Sequence, residues 1–304
     1  MGVIIRRISR LSDESPILAK IIAVLTILLL VGISYFAWFR PYQLHWGATT
    51  EEISRPMPGD GLNPEPAFLA TRAITIEASP EEVWPWLLQM GYGRAGFYGY
   101  DLLENLDSPE GLRSADEIMA KFQHFRVGDE VPISAVVSMK FHAIEPNRHL
   151  IWIGSDEPDP GAFTWALYPL ESGRTRLVSR IRWSYDWTSI SLLSLQIFTE
   201  FADHIAVRKV LQGVKDRVEG PVEPMWIQNV ELFTFVATFF IFAAALLLML
   251  RRRLTWHKWS AATFAGATWL VTWYAPLPRT LSIILALTAV AALYLTSRTH
   301  PKSL

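Results

Sequence analysis

The chain has 304 residues, 28 Lys and Arg against 29 Asp and Glu, and a hydrophobic fraction of 51%, with a mean hydropathy of +0.21. That hydropathy is too high for a wholly soluble protein and directs the reading to membrane segments. Cysteine is absent, which excludes disulfides, thiolate catalysis and cysteine-ligated zinc.

Residues 21–39, IIAVLTILLLVGISYFAWF, carry no charge. With Ile17 to Lys20 they are long enough to cross about 30 Å of hydrocarbon. The run exceeds the ~7–15 apolar residues of a signal peptide and lacks a small-x-small cleavage site, so an uncleaved transmembrane helix over 17–39 is expected behind a basic tail, 1–16. Residues 40–70 hold five prolines and little periodicity, the pattern of an extended connector with a turn at PGDG. Leu44, Trp46 and Ile53 are too apolar for a bare tether, so part of the connector should lie against the domain that follows.

That domain is expected over 71–220. RAITIEA (72–78) alternates as a half-buried strand. SPEEVWPWLLQM (79–90) opens with Ser79 as N-cap, Pro80 at the first helical position and Glu82 three residues after the cap, which predicts a helix. GYGRAG (91–96) matches the glycine pattern of a dinucleotide turn, but such a turn needs a strand before it, and here a capped helix precedes it. The glycines are therefore read as a bend needing positive φ or close backbone approach. GYDLLENL suggests a second short helix.

From 125 the pattern changes to period two: FRVGDEVPI, SMKFHAIEP, HLIWIGS, GAFTWALYPLE and TRLVSRIRWSYD read as five strands. In the last, Leu177, Ser179, Ile181, Trp183 and Tyr185 share one face, and Arg176, Arg180 and Arg182 the other. The expectation is one core face and one wet face. Residues 188–218 form a long helical pattern with a stripe of Ile190, Leu193, Ile197, Phe201, Leu211, Val214 and Val218. Three more apolar helices follow at 227–250, 259–275 and 280–297, making four transmembrane helices in all. The fold class is α+β.

Ten basic residues flank the helices on the side of the termini (Arg6, Arg7, Arg10, Lys20, Arg251, Arg252, Arg253, Lys258, Arg298, Lys302), against five on the other (Arg40, Arg55, Lys215, Arg217, Arg279). The positive-inside rule then places both termini in the cytoplasm and 40–226 outside it. No charge sits mid-membrane, which removes the usual marker of an ion path. Ala262 and Gly266 have small-xxx-small spacing, suited to close helix packing, so the helices read as an anchor or a surface for a membrane-protein partner. Residues 72–218 hold 15 Lys and Arg against 20 Asp and Glu, the wrong sign for a nucleic-acid surface.

The order of elements, with the strings WGATTEEISRPMPGD, TRAITIEASPEEVWPWLLQMGYGRAGFYGYDLLENL, FRVGDEVP and FHAIEPNRHLIWIG, resembles the SRPBCC superfamily of helix-grip proteins. That superfamily includes START-like lipid-transfer domains, plant pathogenesis-related proteins and polyketide cyclases, and the similarity is greatest to its bacterial membrane-anchored branch. It covers about residues 45–218. The resemblance implies a curved antiparallel sheet around the C-terminal helix, enclosing an apolar cavity. It also implies that the glycine bend lies near one end of that cavity, where Arg94, Tyr98, Tyr100 and Asp101 would line an entrance. Function varies widely across the superfamily, so the resemblance implies a fold better than a chemistry.

Trp86, Trp152, Trp165 and Trp183 are candidate ligand contacts, since indoles combine apolar area with one donor and the last three fall in successive strands. His124 is a further candidate near the glycine bend. Asp101, Glu104, His124, His142, Asp186 and His204 are the possible acids and bases, but no spacing brings two together. His204, beside the helix stripe, reads as a hydrogen-bonded core histidine. No G-x-S-x-G, H-E-x-x-H or P-loop string occurs, and nothing calls for a metal or a cofactor. The expected function is membrane-tethered binding of a lipid or other hydrophobic small molecule. A cyclase- or hydrolase-like enzyme using the same cavity, or a scaffold with a filled core, are the alternatives.

Overall fold

A computed structural model describes residues 16–105, 113–154, 161–184, 190–251, 255–275 and 277–298. Tyr185, Asp186, Trp187, the basic tail before Pro16, Arg252, Arg253 and Lys302 lie outside the described residues, as do the side chains of Ile190, Leu193 and Arg298. Two compact units form: Met1–Pro41 with Asn229–Leu304, and Tyr42–Gln228.

The second unit is built on one antiparallel sheet of β1 (Phe68–Ile76), β2 (Glu130–Pro132), β3 (Ser138–Glu145), β4 (His149–Ile153), β5 (Ala162–Pro169) and β6 (Thr175–Trp183). The spatial order is β1-β6-β5-β4-β3-β2. All six expected strands are present, although β1 begins four residues earlier than RAITIEA and β2 is only three residues long. A register shift between Phe141 and Ala143 marks a bulge in β3.

The helices at the chain's start, α1 (Pro16–Ser34), a π-helical turn at Tyr35–Phe39 and α2 (Arg40–Leu44), run on from one another. After α3 (Thr50–Ser54) comes α4 (Pro80–Leu88), where Ser79 N and Oγ donate to Glu82 Oε2 at 2.8 and 2.9 Å. That capped start contributes about 1 kcal/mol. The short α5 (Asp101–Glu104) and the 30-residue α6 (Ile190–Glu219) follow. Ile76, Val83, Leu87, Leu150, Leu177, Leu211 and Val214, all at 0% exposure, join α4, α6 and the inner sheet face in one core.

The outer sheet face corrects the expectation of a wet surface. The connector, read from sequence as extended over 40–70, contains α2 and α3 and is fastened across that face by the arginines of β6. Arg176 Nε donates to Glu52 Oε1 at 2.7 Å, and Arg182 Nε to Asp60 Oδ1 at 2.8 Å. Arg180, 3% exposed, uses its whole guanidinium: Thr71 Oγ1, Asp60 Oδ2 and the carbonyls of Glu52, Ile53 and Arg55 accept from it. The alternation in β6 is therefore apolar-in, arginine-out, but Arg180 is buried and Arg176 and Arg182 are half-buried because an Asp, a Glu and a run of carbonyls are brought to them. The expected turn at PGDG is present, with Gly59 at φ 88° and Met57 N donating to Asp60 Oδ2.

The helical unit contains α1, α7 (Met225–Arg251), α8 (Trp256–Tyr274) and α9 (Arg279–Arg298). Against the expectation of four spanning helices, three helices among the described residues, Ile17–Leu44, Met225–Leu250 and Arg279–Ser297, are long and apolar enough to cross a membrane by length and composition. The α8 helix forms where expected, but His257, Lys258 and its Ser, Thr and Trp residues lower its hydropathy. Its small residues are covered instead of facing outward: Ala262 and Ala265 pack with Ala23, Ile27, Phe242 and Met249. A Cβ on Gly266 would lie 3.0 Å from Phe242, so the small-xxx-small expectation matches close packing there. Large apolar side chains such as Ile17, Leu29, Phe233, Phe240, Leu287 and Leu295 are exposed on the unit's outside.

Candidate functional site

Pairing fixes which side chains share the inner face, since residues directly opposite across an antiparallel sheet point the same way. One row crosses four strands as Arg72 (β1), Ser179 (β6), Trp165 (β5) and Leu150 (β4). The adjacent row runs Ala70, Ile181, Phe163, Trp152 and Phe141, from β1 to β3. The next residue along β6, Trp183, faces the same way opposite Phe68. Trp152, Trp165 and Trp183, expected in successive strands, share this face in register.

These aromatics form a continuous track. Phe163 stacks on Trp165 at 4.8 Å between ring centroids, Trp152 meets Trp165 edge-on at 5.8 Å, and Phe141 meets Trp152 at 6.4 Å. Phe125 then stacks on Phe141 at 5.4 Å, and the Arg94 guanidinium lies 3.7 Å from the Phe125 ring. Each contact contributes on the order of 1 kcal/mol. Trp152 and Trp165 are each 2% exposed, yet neither indole N–H has a hydrogen-bond partner among the described residues. Arg94 Nη2 donates to Leu88 O at 2.7 Å, whereas its Nε and Nη1 are buried and unpartnered among the described residues. Burial pulls this guanidinium down to about 10, so it stays charged at neutral pH.

The glycine bend that carries Arg94 is a turn, not a nucleotide loop. Gly91 and Gly96 exchange backbone hydrogen bonds at 3.1 Å, and Gly96 has φ 74° with Ser114 where a side chain would stand. After it, Tyr98 is 1% exposed and donates through its hydroxyl to Trp86 O at 3.0 Å, with the two rings 5.8 Å apart. Burial pushes that phenol above its ordinary range. On its other side α6 comes so close that a Cβ on Gly213 would overlap the Tyr98 carbonyl, and Arg217 covers the ring at 4.4 Å.

Trp86, Tyr98 and Tyr100 are thus buried among α4, the bend and α6. Asp101, 6% exposed, accepts from Ser114 N at 3.0 Å and ties the bend to the segment after it. Glu104 accepts from the amides of Phe97 and Gly99; burial holds its carboxyl up at about 7 against those two bonds. Trp183 is half-buried and packs across Gly154 and Gly161 at the end of the sheet. His124 and His142 are exposed, His142 in the bulge of β3. Of the expected site residues, Trp152, Trp165 and Arg94 lie along the aromatic track, Trp86, Tyr98, Tyr100 and Asp101 lie behind the bend, and His124 is in neither group.

The sequence pattern did not single out a buried polar cluster that the fold assembles. Arg72, 1% exposed, donates to Asp203 Oδ2 at 2.6 Å and to Gln43 O at 2.8 Å. His204, 0% exposed, makes the expected core contact through Nδ1 to the same Gln43 carbonyl at 3.2 Å. Burial holds the imidazole well below its ordinary value, and the positive charges of Arg72 and Arg208 add to this. Burial pushes the Asp203 carboxyl up, while Arg72 pulls it down. Two signals were present: Arg72 has the parity of Ile74 and Ile76, the core face of β1, and Glu200, His204 and Arg208 recur at i, i+4 and i+8 on one face of α6.

No protein-family model matches the chain, and no curated protein matches it. Among solved structures, a Polyketide_cyc-like protein of Corynebacterium glutamicum is 14% identical, with 50% of this chain and 91% of that one covered at a TM-score of 0.34. A protein of Mesorhizobium loti is 17% identical over 50% of this chain and 97% of its own, at 0.31. One of Nitrosomonas europaea is 14% identical over 54% and 98%, at 0.33. At this level of similarity the neighbours' chemistry does not transfer to the chain.

Proposed function

We propose that the Tyr42–Gln228 unit is a helix-grip domain of the membrane-anchored SRPBCC kind, binding a lipid or other hydrophobic small molecule against the inner sheet face. The observation that carries this reading is the pair of buried, unpartnered indole donors on Trp152 and Trp165 within an aromatic wall. An apolar core that is simply filled has no use for such donors, each of which costs about 1–3 kcal/mol when left unmade. A ligand that is mostly apolar, with a few fixed polar points, supplies the missing acceptors. Of the groups a cyclase or hydrolase would use, Asp101 accepts from Ser114 N, the Tyr98 hydroxyl donates to Trp86 O, and His124 is exposed.

Tethering at both ends of the unit raises the effective concentration of membrane lipid near the domain. The basic residues before α1 and after α7 favour an extracytoplasmic domain whether α8 crosses the bilayer or not. Native mass spectrometry of the full chain released from mild detergent tests the ligand reading. A retained stoichiometric lipid or apolar adduct is expected; a bare mass from every preparation counts against it. A topology reporter fused after Pro41 should read extracytoplasmic. One fused after Pro301 reads cytoplasmic if α8 is a fourth crossing and extracytoplasmic if it is not.

A further inference from the structure

The unpartnered groups along the aromatic track are all donors. Trp152 Nε1, Trp165 Nε1, Arg94 Nε and Arg94 Nη1 are buried without a hydrogen-bond partner among the described residues, and one of the two side-chain types is a fixed cation. Arg94 and Trp152 flank the same Phe141 ring, the guanidinium carbon 5.7 Å from its centroid and the indole centroid 6.4 Å from it. On the outer face Arg55 lies over the Tyr168 ring with Nε and Nη2 unpartnered among the described residues, whereas Arg180 shows how this fold treats a buried guanidinium that holds two segments together. Arg180 makes five hydrogen bonds, two of its acceptors being supplied by Asp60 Oδ2 and Thr71 Oγ1. Arg94 has one, to Leu88 O, and three phenyl faces around it.

A neutral hydrocarbon leaves these donors unmet, and the Asp129 carboxylate acts on the guanidinium charge without a hydrogen bond to Nε or Nη1. A cationic amphiphile adds repulsion. An apolar monoanion answers the donors, because a carboxylate offers several lone pairs to N–H groups and pairs with the guanidinium, while its chain or ring system covers Phe141, Phe163 and the indoles.

We propose that the ligand is an apolar organic acid, a fatty or aromatic carboxylate, held by Arg94 with Trp152 and Trp165 donating to its oxygens. This rests on the hydrophobic-ligand reading above and narrows it to one charge class. The test is a competition on the full chain in mild detergent, with cis-parinaric acid and its methyl ester at equal concentration and the bound adducts weighed by native mass spectrometry. The acid adduct is expected to exceed the ester adduct by about tenfold or more, the margin of a hydrogen-bonded charge pair over a neutral contact. In R94M the ratio should fall towards one, and in the W152F/W165F double variant it should fall several-fold while Arg94 keeps part of the preference. R94K, which keeps the charge, should retain most of the ratio and guards against a variant that fails to fold. Equal binding of acid and ester by the unaltered chain overturns the charge assignment and leaves the hydrophobic-ligand reading standing. Binding of neither probe overturns both.

Discussion

On the outer face of the sheet, Arg180 is buried and meets five acceptors; one strand away on the inner face, Trp165 is equally buried and its N–H meets none among the described residues. The two side chains belong to adjacent strands of the same antiparallel ladder, so local backbone quality does not separate them. What separates them is the covering layer. The outer face is covered by the connector, which brings Glu52, Asp60 and a run of carbonyls; the inner face is covered by α4, α6 and the aromatic bend, which bring hydrocarbon. Arg180 is satisfied on one face while two indoles and Arg94 keep donors without a partner among the described residues on the other, so the two faces differ in the acceptors that their covering layers bring.

Arg180→Met gives the sharpest test of the outer face. It removes five hydrogen bonds and leaves Asp60 with one arginine, so a loss of about 3–5 kcal/mol is expected, read as a lower urea midpoint and as lost amide protection over 50–62 in hydrogen exchange. Unchanged protection there would mean that the connector is held by its apolar residues alone. Gly213→Ala comes next, at about 2–3 kcal/mol, because its Cβ meets the Tyr98 carbonyl and must push α6 from the bend; protection loss should appear on both sides of that contact.

Glu104 supplies a pH signature for the bend. Its folded value of about 7 lies above the ~4.3 of an unfolded glutamate, so between them the folded chain holds a proton that the unfolded chain has lost. Its contribution to stability is therefore complete below ~4.3 and is lost as pH rises through about 7. Glu104→Gln should flatten the stability-against-pH curve between about pH 5 and 7, measured by urea midpoints; an unaltered slope assigns the titration elsewhere. The smallest effect is expected from Trp165→Phe. With no ligand present it removes a donor that has no partner among the described residues, so the change should stay within about 1 kcal/mol, similar to or below the matched Thr175→Val, whose hydroxyl donates to Ala78 O at 2.6 Å. A larger loss from Trp165→Phe with the Trp152 and Phe163 ring contacts kept would show that the indole N–H already has a partner and would erase the contrast between the faces.

Periodicity made most of the framework legible. The capped start of α4, the strands at 138–145, 149–153, 162–169 and 175–183, the long α6 and the apolar helices all lie close to where alternation, capping and hydrophobic runs put them. These signals are local: a strand pair or a capped turn is specified by residues a few positions apart. The three tryptophans on one wall were also legible, because register carries face assignment from strand to strand.

Sequence alone determined that the chain joins long apolar helices to an α+β domain, that glycines 91, 93 and 96 form a bend and not a phosphate cradle, and that the inner sheet face is aromatic. Only the tertiary structure decided which polar groups find partners. That Arg176, Arg180 and Arg182 are clamped by residues 47–64 depends on contacts more than a hundred positions apart in the chain, and periodicity cannot separate a solvated arginine from a clamped one. The same holds for α8, whose modest hydropathy is explained by the helices that cover it, and for Trp152, Trp165 and Arg94, whose unmet donors exist only once hydrocarbon from elsewhere in the chain has excluded water from them.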